Sequence, residues 1–487
     1  MLRTLILAWA VPAVTAAAVV PVALVDAELS VAATFTAAAL VFGSVAAVAH
    51  RVLPGADDPT VSTRLAIVAS CWIELALAFG FLTWIAVHVA PDAGGAPELT
   101  DLTSAMFESV SGVSTTGLTM LDDPSEAELW LQWWRSIMQW FGAIGMVLFA
   151  ATLAEPSGDH DSLVGAEWGD TSGETTRHTA RRLVGILATL TVISVVAMIA
   201  VGDPVWRAVN HGITASATGG FAITSDSAAA SGPGTQVVLA ITLLVSAVSF
   251  GTIWDRSRRS GVPLWRRTQV RWAIAITAIG IGAGIVVAGA DAPLGSLVFN
   301  AISASTTGGF AIGDSFATNS ALGVIATMAM LIGGAAGSTA GGIKIARVAW
   351  IGKAVVRWLP GDSEVDDTES YGWDGEPVAV DDARHRIMGA AAIVATWITI
   401  VGLATTILAE LNPAIPTQDL LFDAISAGSG VGLSRDVAGA DATGATKGIL
   451  TLLMLAGRVE MTAFVVLLFK PVIAVRGTAV TSTHTPA

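Results

Sequence analysis

Apolar runs recur along the whole chain, broken by short polar segments. A helix needs about 20 mostly apolar residues to cross a bilayer. Ten stretches meet that requirement: 3–25, 29–50, 64–90, 128–154, 181–201, 235–254, 271–290, 320–346, 386–409 and 446–474. The first is long, unpunctuated and without a clear small-residue cleavage site, so it reads as a retained span rather than a secretory signal.

The polar punctuation sets an orientation. Arg51 and Arg64 flank one short loop, and Arg177, Arg181 and Arg182 lie in the next loop on the same side. Arg256, Arg258, Arg259, Arg266, Arg267 and Arg271 make the most basic segment; Lys344, Arg347, Lys353, Arg357, Arg384 and Arg386 crowd the last large loop. The alternate loops, 91–101, 119–127, 222–234, 291–299 and 311–319, contain no Lys or Arg. Basic loops stay on the cytoplasmic side, so both termini are expected there. The acidic segment 361–382 reads as a solvated cytoplasmic loop.

Composition narrows the class. Of 487 residues, 53% are hydrophobic and 13% charged, about half the charge of a soluble domain. That excludes a disordered chain and a soluble enzyme on one anchor. With 25 Lys+Arg against 39 Asp+Glu, the net charge of −14 would repel a phosphate backbone, which excludes a nucleic-acid binder. A single cysteine, Cys71, leaves no disulfide framework and no cysteine-based zinc site. Only 4 of the basic residues are lysine, and with the acidic excess this suggests a halophilic prokaryote, whose exposed carboxylates help solubility.

Fifty glycines are the anomaly, and four repeated segments between the spans account for many of them. The first reads Phe107-Glu108-Ser109-Val110-Ser111, then Thr115-Thr116-Gly117-Leu118. The second reads Asn210-His211-Gly212-Ile213-Thr214, then Thr218-Gly219-Gly220-Phe221. The third reads Phe299-Asn300-Ala301-Ile302-Ser303, then Thr307-Gly308-Gly309-Phe310. The fourth reads Phe422-Asp423-Ala424-Ile425-Ser426, then Gly430-Val431-Gly432-Leu433. From polar residue to last glycine the separations 117−108, 220−211, 309−300 and 432−423 all equal 9.

Each unit predicts a half-helix followed by extended backbone at membrane depth. Such backbone exists only where it lines a cavity, and four copies can surround one axis. Rings of carbonyl oxygens replace the hydration shell of a dehydrated cation. Glycine supplies the positive φ that turns successive carbonyls inward, and each short helix aims the negative end of its dipole at the site. The chemistry expected is selection of a monovalent cation, with no covalent step. Asp122, Asp123, Asp226, Asp314 and Asp436 follow the glycines by 4 to 6 residues. They read either as a cation-concentrating ring at a pore mouth or as the scatter of an acid-rich chain. Glu108, His211, Asn300 and Asp423, the matched polar positions, are expected to hydrogen-bond around the loops.

With these residues in view, the four units resemble the Trk/Ktr/HKT superfamily of potassium transporters. Gly333-Gly334-Ala335-Ala336-Gly337-Ser338-Thr339-Ala340-Gly341-Gly342-Ile343-Lys344 is similar to that family's Gly-rich interruption of the third repeat's second helix. Gly457-Arg458-Val459-Glu460 is similar to its segment in the fourth. The resemblance spans about residues 64–475, and two extra N-terminal spans match the ten-helix TrkH type. It implies an all-α polytopic membrane protein with four pseudo-symmetric M1–P-loop–M2 repeats around one central pore plus two extra N-terminal helices. The expected organisation is an N-terminal extension (1–60), pore repeats 1 (61–160), 2 (175–260) and 3 (265–358), an acidic cytoplasmic loop (359–383), repeat 4 (384–477) and a tail (478–487).

By resemblance, K+ would bind carbonyls of a filter formed by Thr115, Thr116, Gly117, Thr218, Gly219, Gly220, Thr307, Gly308, Gly309, Gly430, Val431 and Gly432. Gly333, Gly334, Gly337, Ser338, Thr339, Gly341, Gly342 and Lys344 would form an intramembrane gate, since each glycine weakens a helix by about 1 kcal/mol relative to alanine. Arg458, balanced by Glu460, would be an electrostatic barrier in the cavity below; an ionisable residue at that depth is functional by default. Four intact filter glycines favour potassium, whereas a serine in the first filter goes with sodium permeability in some relatives. The resemblance further implies a homodimer, membrane lipid, and a cytosolic nucleotide-binding regulatory subunit of the TrkA/KtrA kind, with no organic cofactor in this chain.

Other readings compete less well. The alternatives within the superfamily are a Na+-permeable or Na+/H+-coupled transporter, or the K+-conducting subunit of a pump complex. Segment 337–344 lacks the spacing of a phosphate-binding loop and no strand precedes it. Seven histidines, none in His-x-x-x-His spacing, argue against an intramembrane hydrolase. Glu74 and His88 suggest a proton relay or, more simply, a buried carboxylate paired with a neighbouring helix. Trp130, Trp133, Trp134 and Trp140 read as an interfacial aromatic belt.

Overall fold

A computed structural model describes residues 8–52, 61–153, 176–257, 263–289, 293–313, 320–358 and 371–459. Helices α1 (Ala10–Val25) and α2 (Leu29–Val52) form an N-terminal hairpin. A three-part unit then occurs four times: a long helix, a short helix and a return helix. The first unit comprises α3 (Val61–Val89), α4 (Leu102–Val113) and α5 (Leu129–Leu153). The second comprises α6 (Thr176–Ala200), α7 (Val205–Ser216) and a return made of α8 (Pro233–Ser246) and α9 (Phe250–Ser257). The third comprises α10 (Thr268–Ala288), α11 (Leu294–Ser305) and a return made of α12 (Ser320–Ile332) and α13 (Ile345–Trp358). Strands β1 (Tyr371–Trp373) and β2 (Glu376–Val378) precede the fourth unit, α14 (Val380–Leu411), α15 (Thr417–Ser429) and α16 (Gly444–Arg458).

Among the described residues five helices are long and apolar enough to cross a membrane: Leu29–Val52, Ala69–Val89, Arg181–Ala200, Thr268–Ala288 and Val380–Leu411. Four of these lie in the helices that lead the four units. They need that apolarity because little of their surface is covered by protein; in Thr268–Ala288 only 6% of the span is buried. The return helices are shorter, broken, or carry buried polar groups such as Arg135 and Gln139 of α5, and their apolar signal is diluted accordingly.

The short helices run 12, 12, 12 and 13 residues, about 18–20 Å at 1.5 Å per residue, too short for a bilayer core of about 30 Å. Asp101 caps α4 by accepting from the Ser104 N–H at 3.0 Å, while Pro204, Pro293 and Pro416 stand at the start of the other three. All four end alike. Thr115, Thr218, Thr307 and Gly430 take φ of 55°, 50°, 54° and 63°. The next residue's N–H returns to a helix carbonyl five positions back: Thr116 to Ser111 (2.9 Å), Gly219 to Thr214 (2.8 Å), Gly308 to Ser303 (2.7 Å) and Val431 to Ser426 (2.9 Å). This is the Schellman cap, normally built on glycine. A β-branched residue at positive φ is a conformational outlier, held only where its surroundings over-determine it.

Three sequence expectations change here. The span 235–254 is two helices, α8 and α9, because residues 247–249 turn to meet another segment: Ala247 O accepts from the Ala335 N–H (3.0 Å), and the Phe250 N–H donates to Gly337 O (2.8 Å). The stretch 320–346 breaks after Ile332 and resumes at Ile345, where the Gly-rich interruption 333–344 is expected. The expected loop 359–383 contains an antiparallel hairpin and the start of α14. The hairpin turns at Asp374-Gly375, both at positive φ, as a tight hairpin turn requires. Asp374 is fixed by Arg267 (3.0 Å) and the Thr268 N–H (2.6 Å), and Trp373 stacks on Trp350 at 4.6 Å. Two of the four tryptophans expected in an aromatic belt are instead core, while Trp133 and Trp140 are half-buried. Trp130 and Trp134 are fully buried and pack on Phe35 of α2, while the Trp133 indole donates to Ala18 O of α1 at 2.9 Å. They seat the N-terminal hairpin against α5. Glu74 pairs with a neighbour as the simpler reading supposed, accepting from the Trp9 indole at 3.3 Å.

Candidate functional site

The loops following α4, α7, α11 and α15 meet in a ring. Gly117, Gly220, Gly309 and Gly432 have φ of 97°, 76°, 75° and 95°, two residues after the left-handed cap residue in every case. A Cβ built on Gly117 would stand 2.3 Å from Gly219 O of the second loop. One on Gly220 would stand 3.0 Å from Gly308 O of the third, and one on Gly309 2.2 Å from Val431 O of the fourth. One on Gly432 would stand 2.3 Å from Thr116 O of the first. Each glycine faces the carbonyl of the residue before the next glycine, and the order 1–2–3–4 closes on itself. These approaches bring together Thr116, Gly117, Gly219, Gly220, Gly308, Gly309, Val431 and Gly432, and Thr115, Thr218, Thr307 and Gly430 are the cap residues that lead into them.

The matched polar residues hold these loops by one rule. Each accepts from the backbone N–H twelve residues ahead, 120−108, 223−211, 312−300 and 435−423. Glu108 takes Met120 at 2.7 Å, His211 takes Ile223 at 3.5 Å, Asn300 takes Ile312 at 2.8 Å and Asp423 takes Arg435 at 2.7 Å. All four are fully buried. In the first and fourth units a serine also holds the ring glycine: Ser111 Oγ accepts from Gly117 N, and Ser426 Oγ from Gly432 N, each at 3.0 Å.

A cavity of about 260 Å³ is lined by all four ring glycines, with Arg135 and Asp122. A second, of about 510 Å³, adjoins it at Gly117 and Gly432 and includes Asp122, Asp436 and Asp441. Asp122, Asp226 and Asp436 are exposed; Asp314 lies outside the described residues. Hydrogen bonds from the Ser125 side chain and backbone hold the Asp123 carboxyl below its ordinary range, favouring its charged form.

Arg135 was not singled out by sequence. It is 1% exposed, and its Nε donates to Glu108 Oε1 at 2.7 Å. Nη1 donates to Ala222 O at 3.0 Å, and the guanidinium lies 4.2 Å from the Phe221 ring. It ties the first short helix to the second loop. An arginine in the middle of an apolar span was the available signal.

On the opposite side of the ring, segment 333–344 threads beneath the ends of the short helices. Gly342 N donates to Ser429 O (3.0 Å) at the end of α15. Gly341 N donates to Thr307 Oγ1 (2.8 Å), and Thr339 Oγ1 to Ser216 O (3.3 Å) at the end of α7. The Lys344 ammonium is buried on Ala340 O. Arg458 closes the fourth side: its guanidinium donates to Thr339 O and Gly142 O, each at 3.2 Å, and lies 5.6 Å from the Trp72 ring. Its neighbour Gly457 is required for close approach, since a Cβ there would stand 1.9 Å from Gly428 O; Gly142 stands likewise against Val113 O at 2.0 Å. Both follow their ring glycine by 25 residues (457−432, 142−117). Glu460 lies outside the described residues.

The profile of a family described as TrkH, cation transport protein, matches residues 30–275 and 287–472. The chain is 28% identical over 410 residues to the Trk system potassium uptake protein TrkI of Halomonas elongata, covering 80% of this chain and 81% of that protein. It is 27% identical over 457 residues to the Trk system potassium uptake protein TrkH of Vibrio parahaemolyticus, covering 85% and 92%. The crystal structure of the potassium transporter TrkH from Vibrio parahaemolyticus matches with a TM-score of 0.80 at 21% identity, covering 96% of this chain and 98% of that one.

Proposed function

The chain belongs to the TrkH family of cation transport proteins, and from that premise we propose that it takes up potassium through the ring of four loops. The observation that carries this reading is the closed cycle of contacts from Gly117 through Gly220, Gly309 and Gly432 back to Thr116. In it carbonyls of the loop residues, apart from the Gly219 oxygen that accepts from Gln139, replace water around K+, the transported ion. The four short helices end at the ring, so the negative ends of their dipoles favour a cation there. No covalent step is involved.

Cations gather in the cavity that holds Asp122, pass the ring, and meet the segment 333–344 with Arg458 beneath it. In the closed arrangement Arg458 and Lys344 place two positive charges under the exit. Glycines at 333, 334, 337, 341 and 342, with Ser338 and Thr339, let the segment move without breaking helix. The basic loops orient the protein with this gate and both termini on the cytoplasmic side. The relatives are named as parts of a Trk system, which supports association with other components; we assign these as a second copy of the chain and a nucleotide-binding regulatory subunit.

Uptake of K+, Rb+ and Na+ into proteoliposomes containing the full chain tests the reading, with Gly117→Ser alongside. K+ and Rb+ are expected to enter in preference to Na+, and the serine variant to admit Na+. Equal K+ and Na+ uptake by the wild type refutes potassium selectivity, and a serine variant with wild-type preference refutes the assignment of Gly117.

A further inference from the structure

The residue before the ring glycine divides the loops into two kinds. It is Thr116 in the first and Val431 in the fourth, but Gly219 in the second and Gly308 in the third. The volume a side chain would take at these glycines is filled from elsewhere. A Cβ built on Gly219 would stand 2.2 Å from Gln139 Oε1, 2.3 Å from its Cδ and 2.8 Å from its Nε2, the three nearest atoms. At Gly308 the three nearest atoms all belong to Leu243, the closest at 2.6 Å. Gln139 lies on α5 and Leu243 on α8, so each return helix fills the space behind the following unit's loop. Their places correspond, 139−117 = 22 and 243−220 = 23.

Gln139 does more than fill space. It is fully buried; its Nε2 donates to Gly219 O at 2.6 Å and its Oε1 accepts from Phe221 N at 3.3 Å. One amide therefore clamps the backbone on both sides of Gly220. The Gly219 oxygen is also the atom that faces Gly117 across the joint between the first and second loops. In a buried, water-poor setting such a pair of bonds fixes geometry, because the groups have no cheap alternative partner.

We propose that Gln139 is a positioning residue of the ion filter. It stands in for the side chain that the second loop lacks, holds the backbone from Gly219 to Phe221, and thereby sets discrimination between potassium and sodium. This rests on the reading of the four loops as the filter.

The test is K+ and Na+ uptake by the full chain in proteoliposomes, comparing wild type with Gln139→Ala, Gly219→Thr and the double variant. The Gly219 backbone is not left-handed, so a threonine there, as at Thr116, is obstructed first by Gln139. Gln139→Ala is expected to keep K+ uptake but lower the K+/Na+ ratio roughly three- to tenfold, the range set by one hydrogen bond. Gly219→Thr alone is expected to lose transport, and the double variant to recover the wild-type ratio by refilling the space from the loop's own side. A wild-type ratio in Gln139→Ala overturns the proposal, as does an equal fall in both ions, which a purely structural role would give. Gly219→Thr with wild-type transport also overturns it. If Gln139→Ala does not fold, the double variant carries the test: recovery of the ratio supports the proposal, and failure to fold or to recover overturns it. Gly117→Ser separates the two levels. If it changes the ratio and Gln139→Ala does not, only the role of Gln139 fails; if it does not, the filter reading itself fails.

Discussion

Removing the carboxylate of Glu108 should destabilise the protein more than any simple loss of contact area would. Glu108 accepts from Arg135 Nε (2.7 Å), Met120 N (2.7 Å) and Thr119 Oγ1 (3.0 Å). Both members of the pair are buried, at 0% and 1% exposure, so Glu108→Ala leaves the Arg135 charge without its counter-ion and the Met120 N–H without its acceptor. Breaking one side of a buried ion pair costs about 3–5 kcal/mol. Replacing both charges leaves no ion to strand, so Glu108→Ala/Arg135→Met should be less destabilised than Glu108→Ala alone. Folded fraction across a graded sodium dodecyl sulfate titration in mixed micelles, read by tryptophan fluorescence, gives all four corners of the cycle. Strictly additive losses, with the double variant worse than either single, would refute the coupling.

Other consequences follow from the same geometry. Arg458→Ala removes the hydrogen bond to Thr339 O that fastens segment 333–344 and the one to Gly142 O of α5; at about 1.5–3 kcal/mol for the bond from a charged donor to the segment, K+ flux should rise at least tenfold, and unchanged or lower flux in a folded variant would count against the barrier. Asp101→Ala removes the α4 cap and should lower stability by about 1 kcal/mol. The Asp101 carboxyl is held below its ordinary range by the Thr103 hydroxyl first and the Ser104 N–H next. Its contribution is therefore present above the unfolded pKa and lost as pH falls through the folded value, and the Ala variant should lack that acid-side loss.

The local pattern of the ring was legible because it is written within each repeat. The nine-residue spacing from Glu108 to Gly117 and its three counterparts places an acceptor and a glycine on one short helix and its loop, and both ends of each bond lie within twelve residues. What escaped depends on distant partners. Nothing near Ala247 shows that α8 must stop there; the reason is Gly337 and Ala335, which bond to the break from another unit. Trp130 and Trp134 have the composition of an interfacial belt, and the packing of Phe35 of α2 on both and of Phe79 and Thr83 of α3 on Trp134 makes them core. Arg135 and Gln139 act on Ala222 and Gly219, 87 and 80 residues away. Thr115, Thr218 and Thr307 occupy a position where glycine is the expected residue, so their left-handed backbone carried no signal. The Asp374-Gly375 hairpin did carry one, within a segment read only for its acidity.

The location of the ion decides the central claim. Crystals of the full chain grown with thallium(I) or rubidium, and measured at the anomalous edge, should show density on the axis enclosed by Gly117, Gly220, Gly309 and Gly432, reduced when sodium replaces the heavier ion. Strong anomalous density elsewhere in the membrane region, with none inside that ring, would contradict the account.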